Sequence, residues 1–112
     1  MAKEIDAITR LYDYILWAIP KIDQFPRKRK FTLGDRIESL LLDVLSLLIE
    51  AAYSKDKGDL LKKANLKLEQ LRYLTRLAKD LRLITVKSYT FSAKSIDGIG
   101  TSVGGWLKYI RR

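Results

Sequence analysis

LLKKANLKLEQLRYLTRLAKDLRLI, residues 60–84, decides how the rest of the chain is read. Leu61, Ala64, Leu68, Leu71, Leu74, Ala78 and Leu81 recur at steps of three and four, the spacing of one helix face. Arg72, Arg76 and Lys79 recur at the same steps on another face, and at about 100° per residue they fall within an arc of roughly 60°. The segment is therefore predicted to be a helix with a broad apolar side and a narrow cationic ridge.

The segments on either side follow the same period. Residues 54–59, SKDKGD, break the pattern at Gly58 and offer Asp56 or Asp59 as N-caps for a helix over 59–83. Before the break, Leu33, Ile37, Leu40, Val44, Leu47 and Ala51 form one apolar seam, and Leu41, Leu45, Leu48 and Ala52 form a second beside it. Only Arg36, Ser39, Asp43, Ser46 and Glu50 remain as a polar strip. A helix over 30–53 with so little polar surface is buried on nearly all sides, and the second seam suggests packing between subunits. Thr32, three residues before Asp35, resembles a capping arrangement.

Residues 4–24 carry Ile5, Ile8, Tyr12, Ile15, Ile19 and Ile22 in the same rhythm, widened by Leu16 and Trp17. Pro20 should kink or end that helix, because it lacks an N–H and its ring crowds the preceding turn. Arg27-Lys28-Arg29-Lys30 follows Phe25-Pro26 and reads equally well as a phosphate clamp or as a solvated loop. Downstream, Ile84-Thr85-Val86 is taken as a turn, and Tyr89, Ala93, Ile96, Gly100, Val103, Leu107 and Ile110 predict a fourth helix over 87–110. Its Gly98, Gly100, Gly104 and Gly105 each cost about 1 kcal/mol relative to alanine in a helix interior. Either they allow another backbone to approach closely, or the helix breaks near Gly104-Gly105. The whole reads as a single all-α domain, residues 1–112, an antiparallel four-helix bundle.

With 47% hydrophobic and 31% charged residues, the chain is globular rather than disordered. It contains no Cys and no His, which removes thiolate sites, disulfides and the commonest acid–base and metal-ligating residue. Glycine-rich phosphate loops are absent, and Asp35, Asp43 and Glu50 read as a structural polar strip because di-metal bundles use Glu-x-x-His pairs. Neither enzyme activity nor a cofactor is expected. No signal peptide or membrane span is evident, so a soluble, cytoplasmic protein is expected.

The net charge of +9 is uneven: residues 59–85 and 86–112 carry +4 each, against −1 for 1–24 and +2 for 25–58. Arg72, Arg76, Lys79 and Arg82, with Lys87 and Lys94 on the next helix, are the candidate contacts for a polyanion. The alternative is a solvated face, offset in part by Glu69 and Asp80. Tyr73, Tyr109 and Trp17 read as packing more readily than as base-stacking groups.

LRYLTRLAKDLRLI, followed by Ile99-Gly100, Gly104-Gly105-Trp106 and Lys108, resembles the accessory variability determinant (Avd) proteins of diversity-generating retroelements. FTLGDRIESLLLDVL and LYDYILWAIPKI fit the same family's second and first helices, so the resemblance spans nearly the whole chain. The wider group is that of the 23S rRNA intervening-sequence proteins, from which LLLDVLSLLIEAAYS departs. The resemblance implies a four-helix bundle assembling as a ring-like homopentamer with a basic surface. It implies partners too: the retroelement's reverse transcriptase and its RNA or cDNA, during mutagenic reverse transcription. Arg72 and Arg76 fall in the family's arginine-rich motif, Lys79 comes next, and Arg82, Lys87 and Lys94 rest on charge alone. The alternative is a structural helical oligomer with no specific nucleic-acid role.

Overall fold

A computed structural model describes residues 2–111, and these contain four helical rods and no strand. We label them α1 (Ala2–Asp23), α2 (regular part Asp35–Tyr53), α3 (Lys57–Asp80) and α4 (Val86–Ile110). Successive rods pack against each other and α1 closes the square against α4. The result is an up-down-up-down bundle of 45 × 23 × 19 Å. In that topology the α1–α2 and α3–α4 connections lie at one end, and the α2–α3 connection lies at the other.

Pro20 sits inside α1 without ending it. The helix that becomes α2 starts earlier than its apolar pattern suggests. Arg27–Arg29 form an α-turn directly after Pro26, and Lys30–Gly34 wind as a π-helix into α2. Thr32 is thus no N-cap: its Oγ1 donates to the Lys28 carbonyl at 3.0 Å, inside the turn. Gly34 is required there by close approach. A Cβ on it would lie 2.9 Å from Ile22 Cγ2, a branched methyl held in the core.

The other ends are closed by identifiable groups. Lys57 Nζ donates to the carbonyls of Ala51 (2.7 Å) and Ala52 (3.2 Å), satisfying the last turn of α2. Thr85 Oγ1 accepts from the Ser88 N–H at 3.0 Å and caps α4. α3 ends in a Schellman motif, with Leu83 N–H bonded to Ala78 O (2.8 Å) and Arg82 N–H to Lys79 O (2.9 Å). Its left-handed position, φ 62°, is held by Arg82, where glycine is the usual residue and an L-side chain costs about 1 kcal/mol.

The core face of α3 contains Leu61, Ala64, Leu68, Leu71 and Ala78, as the periodicity of residues 60–84 requires. Thr75 is buried beside them, its hydroxyl donating to Leu71 O at 2.6 Å, while Leu81 turns out to solvent. α1 differs more. Ala7, Leu11, Tyr14, Ile15, Ala18 and Ile22 face inward, whereas Ile5, Tyr12 and Leu16 of the expected seam are exposed. Small Ala7 and Ala18 let α1 approach its neighbours, so the buried face centres on Ala7, Leu11 and Ala18. Ile15 and Ile22 stay inward, Ile8 and Ile19 sit at its edge, and Ile5, Tyr12 and Leu16 are left outside. On α2, Leu41 and Leu48 of the second seam are fully buried within the bundle. That seam packs inside the protomer, and Leu42 and Ile49 are the exposed apolar groups instead.

One polar pair lies inside this core. Tyr14 Oη and Ser92 Oγ are 2.7 Å apart and buried. Burial pushes the Tyr14 hydroxyl above its ordinary 10.0, and the bond to Ser92 opposes the shift. A raised phenol contributes stability that is complete below 10.0 and is lost as pH rises through the higher folded value. Tyr14→Phe leaves Ser92 without that partner, so urea unfolding at pH 7 should show a loss of about 1–2 kcal/mol. The variant should also lack the wild type's decline in stability above pH 10, the ordinary value for tyrosine.

Candidate functional site

Because α3 and α4 are antiparallel neighbours, the cationic ridge of α3 lies along the groove between them. Arg72 sits in that groove, only partly exposed. Its Nε donates to Glu69 Oε1 at 2.8 Å and its Nη1 to Asp97 on α4. Arg72 is thereby a clamp between the two helices, and two carboxylates already occupy its fork. Asp97, the sole acid of residues 86–112, is the partner that spacing within α3 could not reveal.

The rest of the ridge is freer. Arg76 is exposed and reaches Asp80 Oδ2 only at 3.9 Å. Lys79 Nζ lies 3.5 Å from Asp80 Oδ1 and 4.5 Å from the centre of the Tyr89 ring, a cation–π contact that fastens the start of α4 to the end of α3. Arg82, Lys87 and Lys94 are exposed and make no ion pair among the described residues. Arg76, Lys79, Arg82 and Lys87 therefore gather toward the end where α3 meets α4, and Lys94 extends the line two turns along α4.

The glycines of α4 do not bring backbones together within the protomer. The helix runs unbroken through Gly104-Gly105, and the heavy atoms that Cβ groups on Gly98 and Gly100 would meet are guanidinium nitrogens of Arg10 and Arg72, at 3.5 and 3.4 Å. The α1 side of that glycine face is pinned by Asp6, which accepts from Ser102 Oγ and from Arg10 Nε. The Ser102 bond, with help from Arg10, holds the Asp6 carboxyl below its ordinary value.

A second surface is apolar. Trp17 meets Phe91 of α4 at 4.6 Å between ring centres, which puts the Ile5–Tyr12–Leu16 flank of α1 on the opposite side, toward α2. Lys67 on α3 pairs with Asp43 at 3.6 Å, which puts the Leu42–Ile49 flank of α2 toward α1. The two flanks face largely outward, one on each side of the line where α1 meets α2 (the α1–α2 groove), and Leu16 is 61% exposed. A run of exposed large apolar groups on adjoining helices marks an interaction surface.

Among the described residues no group of three or more His, Cys, Asp or Glu that could hold a metal ion occurs. The cleft lined by Tyr14, Trp17, Thr75 and Ser92 offers about 30 Å³, enough for a water or two. Among the described residues no helix is long and apolar enough to cross a membrane.

Fold and surface together define a four-helix-bundle protein whose distinctive chemistry is carried on the outside, as exposed cations and an exposed apolar groove. Residues 7–110 match the model of the bAvd-like family, and the chain belongs to that family. It is thus an accessory protein of the retroelement kind. No curated protein and no solved structure matches the chain.

Proposed function

We propose that this protein assembles as a ring-like homopentamer and holds a retroelement's reverse transcriptase together with its template RNA or cDNA during mutagenic reverse transcription. It works there as a scaffold, with no active site of its own. The observation that carries this reading is the separation of its two surfaces. The α1–α2 groove is apolar and suits another protomer, while the α3–α4 face is cationic and suits phosphate. A ring repeats the cationic face on every protomer, so weak contacts act together. Family membership supports the same partners.

Arg72 is engaged by Glu69 and Asp97, which favours a structural role for that one residue. Arg76, Lys79, Arg82, Lys87 and Lys94 are the better contacts for RNA, DNA or the polymerase. Arg76→Glu with Lys79→Glu should preserve the oligomer, as measured by light scattering, and weaken RNA binding. Two lost phosphate contacts on a single strand should flatten the slope of log K against log salt by about 1.4. An unchanged slope would remove the ridge from the interface. Arg72→Glu is a poorer test, since it sets a third carboxylate beside Glu69 and Asp97.

A further inference from the structure

We infer that the end of the bundle carrying the α1–α2 and α3–α4 connections binds single-stranded nucleic acid. In this site Arg27, Lys28, Arg29 and Arg82 grip phosphates while Phe31 stacks on a base. The inference rests on the nucleic-acid reading above and extends the grip from the α3–α4 ridge onto the bundle end.

Charge is the first argument. Residues 21–36 and 76–90 meet at this end and contain ten Lys and Arg against three acids, so +7 of the net +9 is concentrated there. The two segments lie far apart in the chain and come together only through the antiparallel topology. Lys21 and Arg82 line one groove with Gln24, Thr85 and Ser88. Lys28 and Arg29 are exposed and have no acidic partner among the described residues, and the Lys30 pair with Asp23, at 3.6 Å, is the one ion pair of the run.

Phe31 is the second argument. It is 60% exposed although phenylalanine has no polar atom to hydrate, and the Arg27 guanidinium lies 5.9 Å from its ring centre. The π-helical turn Lys30–Gly34 brings Gly34 inward against Ile22 and leaves Phe31 out among the cations. An aromatic face beside arginines is the arrangement on which unpaired bases stack, and duplexes hide those base faces.

Arg82 is the third. It occupies a left-handed backbone position where glycine is favoured, yet its side chain is exposed and makes no ion pair among the described residues. The left-handed turn serves the Schellman motif, which glycine would close with less strain, so what arginine adds at this position is its side chain.

The test uses the full chain and fluorescence anisotropy with labelled 20-nucleotide oligo(U) and a 20-base-pair RNA duplex, across a salt series. Replacing Arg27, Lys28 and Arg29 together by Gln should weaken oligo(U) binding about tenfold and flatten the salt slope by about two. Phe31→Leu should weaken oligo(U) about five- to tenfold, leave the duplex unchanged, and be rescued in Phe31→Tyr. Arg82→Gly should raise the thermal midpoint by relieving the backbone while lowering affinity severalfold, a combination that a purely structural arginine does not produce. Wild-type affinity in all three variants, alongside loss in Arg76→Glu/Lys79→Glu, would overturn the bundle-end site and keep the nucleic-acid reading. Failure of the wild type to bind either RNA would overturn both. Loss of reverse transcriptase association alone in the triple variant would assign this end to protein and overturn the inference as well.

Discussion

Trp106→Ala should destabilise the protein by about 3–5 kcal/mol, the largest single-residue effect expected in this chain. Trp106 is 1% exposed and is the largest fully buried side chain, on α4 within a core shared with Leu11, Leu41, Leu61 and Val103. Its removal deletes an indole's worth of packing and leaves a cavity that four helices meeting at fixed spacings cannot close. Small domains are stable by about 5–15 kcal/mol, so a loss of that size leaves the protomer marginal. Urea unfolding followed by circular dichroism measures it, with the midpoint falling and the slope unchanged. A loss below about 1 kcal/mol would mean that the C-terminal part of α4 contributes little to the core, contrary to the burial of Ile99, Val103 and Trp106.

The second large effect concerns assembly. Leu16→Glu with Ile49→Glu places one carboxylate on each flank of the apolar α1–α2 groove. Both positions are exposed in the protomer, so the bundle itself should keep its helicity and thermal midpoint. If the groove is covered by another protomer, each carboxylate is desolvated without a partner. Two such groups at roughly 3 kcal/mol apiece weaken association by about ten-thousandfold. Sedimentation at micromolar concentration should then give the wild type as the ring and the double variant as monomer. An unchanged mass for the variant would place the protomer contact elsewhere, for example at the exposed Leu66–Tyr73–Leu77 flank of α3. A monomeric wild type would remove the ring.

The surfaces also divide the variants into separable classes. Substitutions in the α1–α2 groove should change mass first and nucleic-acid affinity second, because a ring multiplies weak cationic contacts. Substitutions at Arg76 or Lys79 should change affinity at constant mass. Tyr14→Phe should change neither, only stability, since Tyr14 and Ser92 are buried away from both surfaces.

Much of the bundle was legible in the periodicity. Residues 60–84 contain their own buried face, and five of the seven positions spaced along it, Leu61, Ala64, Leu68, Leu71 and Ala78, are buried. The helical order, a break within 54–59 and the resemblance that the family match bears out were readable in the same way, although the structure confines the break to 54–56 and starts α3 at Lys57. The candidate site was legible as a set of residue types, and less so as a surface. Arg72 looked like the head of a free ridge because its partner Asp97 lies 25 residues away on another helix.

For this chain the sequence alone determined four helices, their angular patterns and the excess of positive charge, because a 3.6-residue period is a local property of each segment. It did not determine how each helix is rotated against its neighbours. That rotation is settled by interdigitation among four rods at once. It sent Ile5, Tyr12 and Leu16 outward and Ala7, Leu11 and Ala18 inward, and it buried Leu41 and Leu48 inside the protomer. Only the tertiary structure brought Arg27–Lys30 to the same end as Arg82 and Lys87. Antiparallel packing joins segments some fifty residues apart, and no pattern within either segment records the meeting.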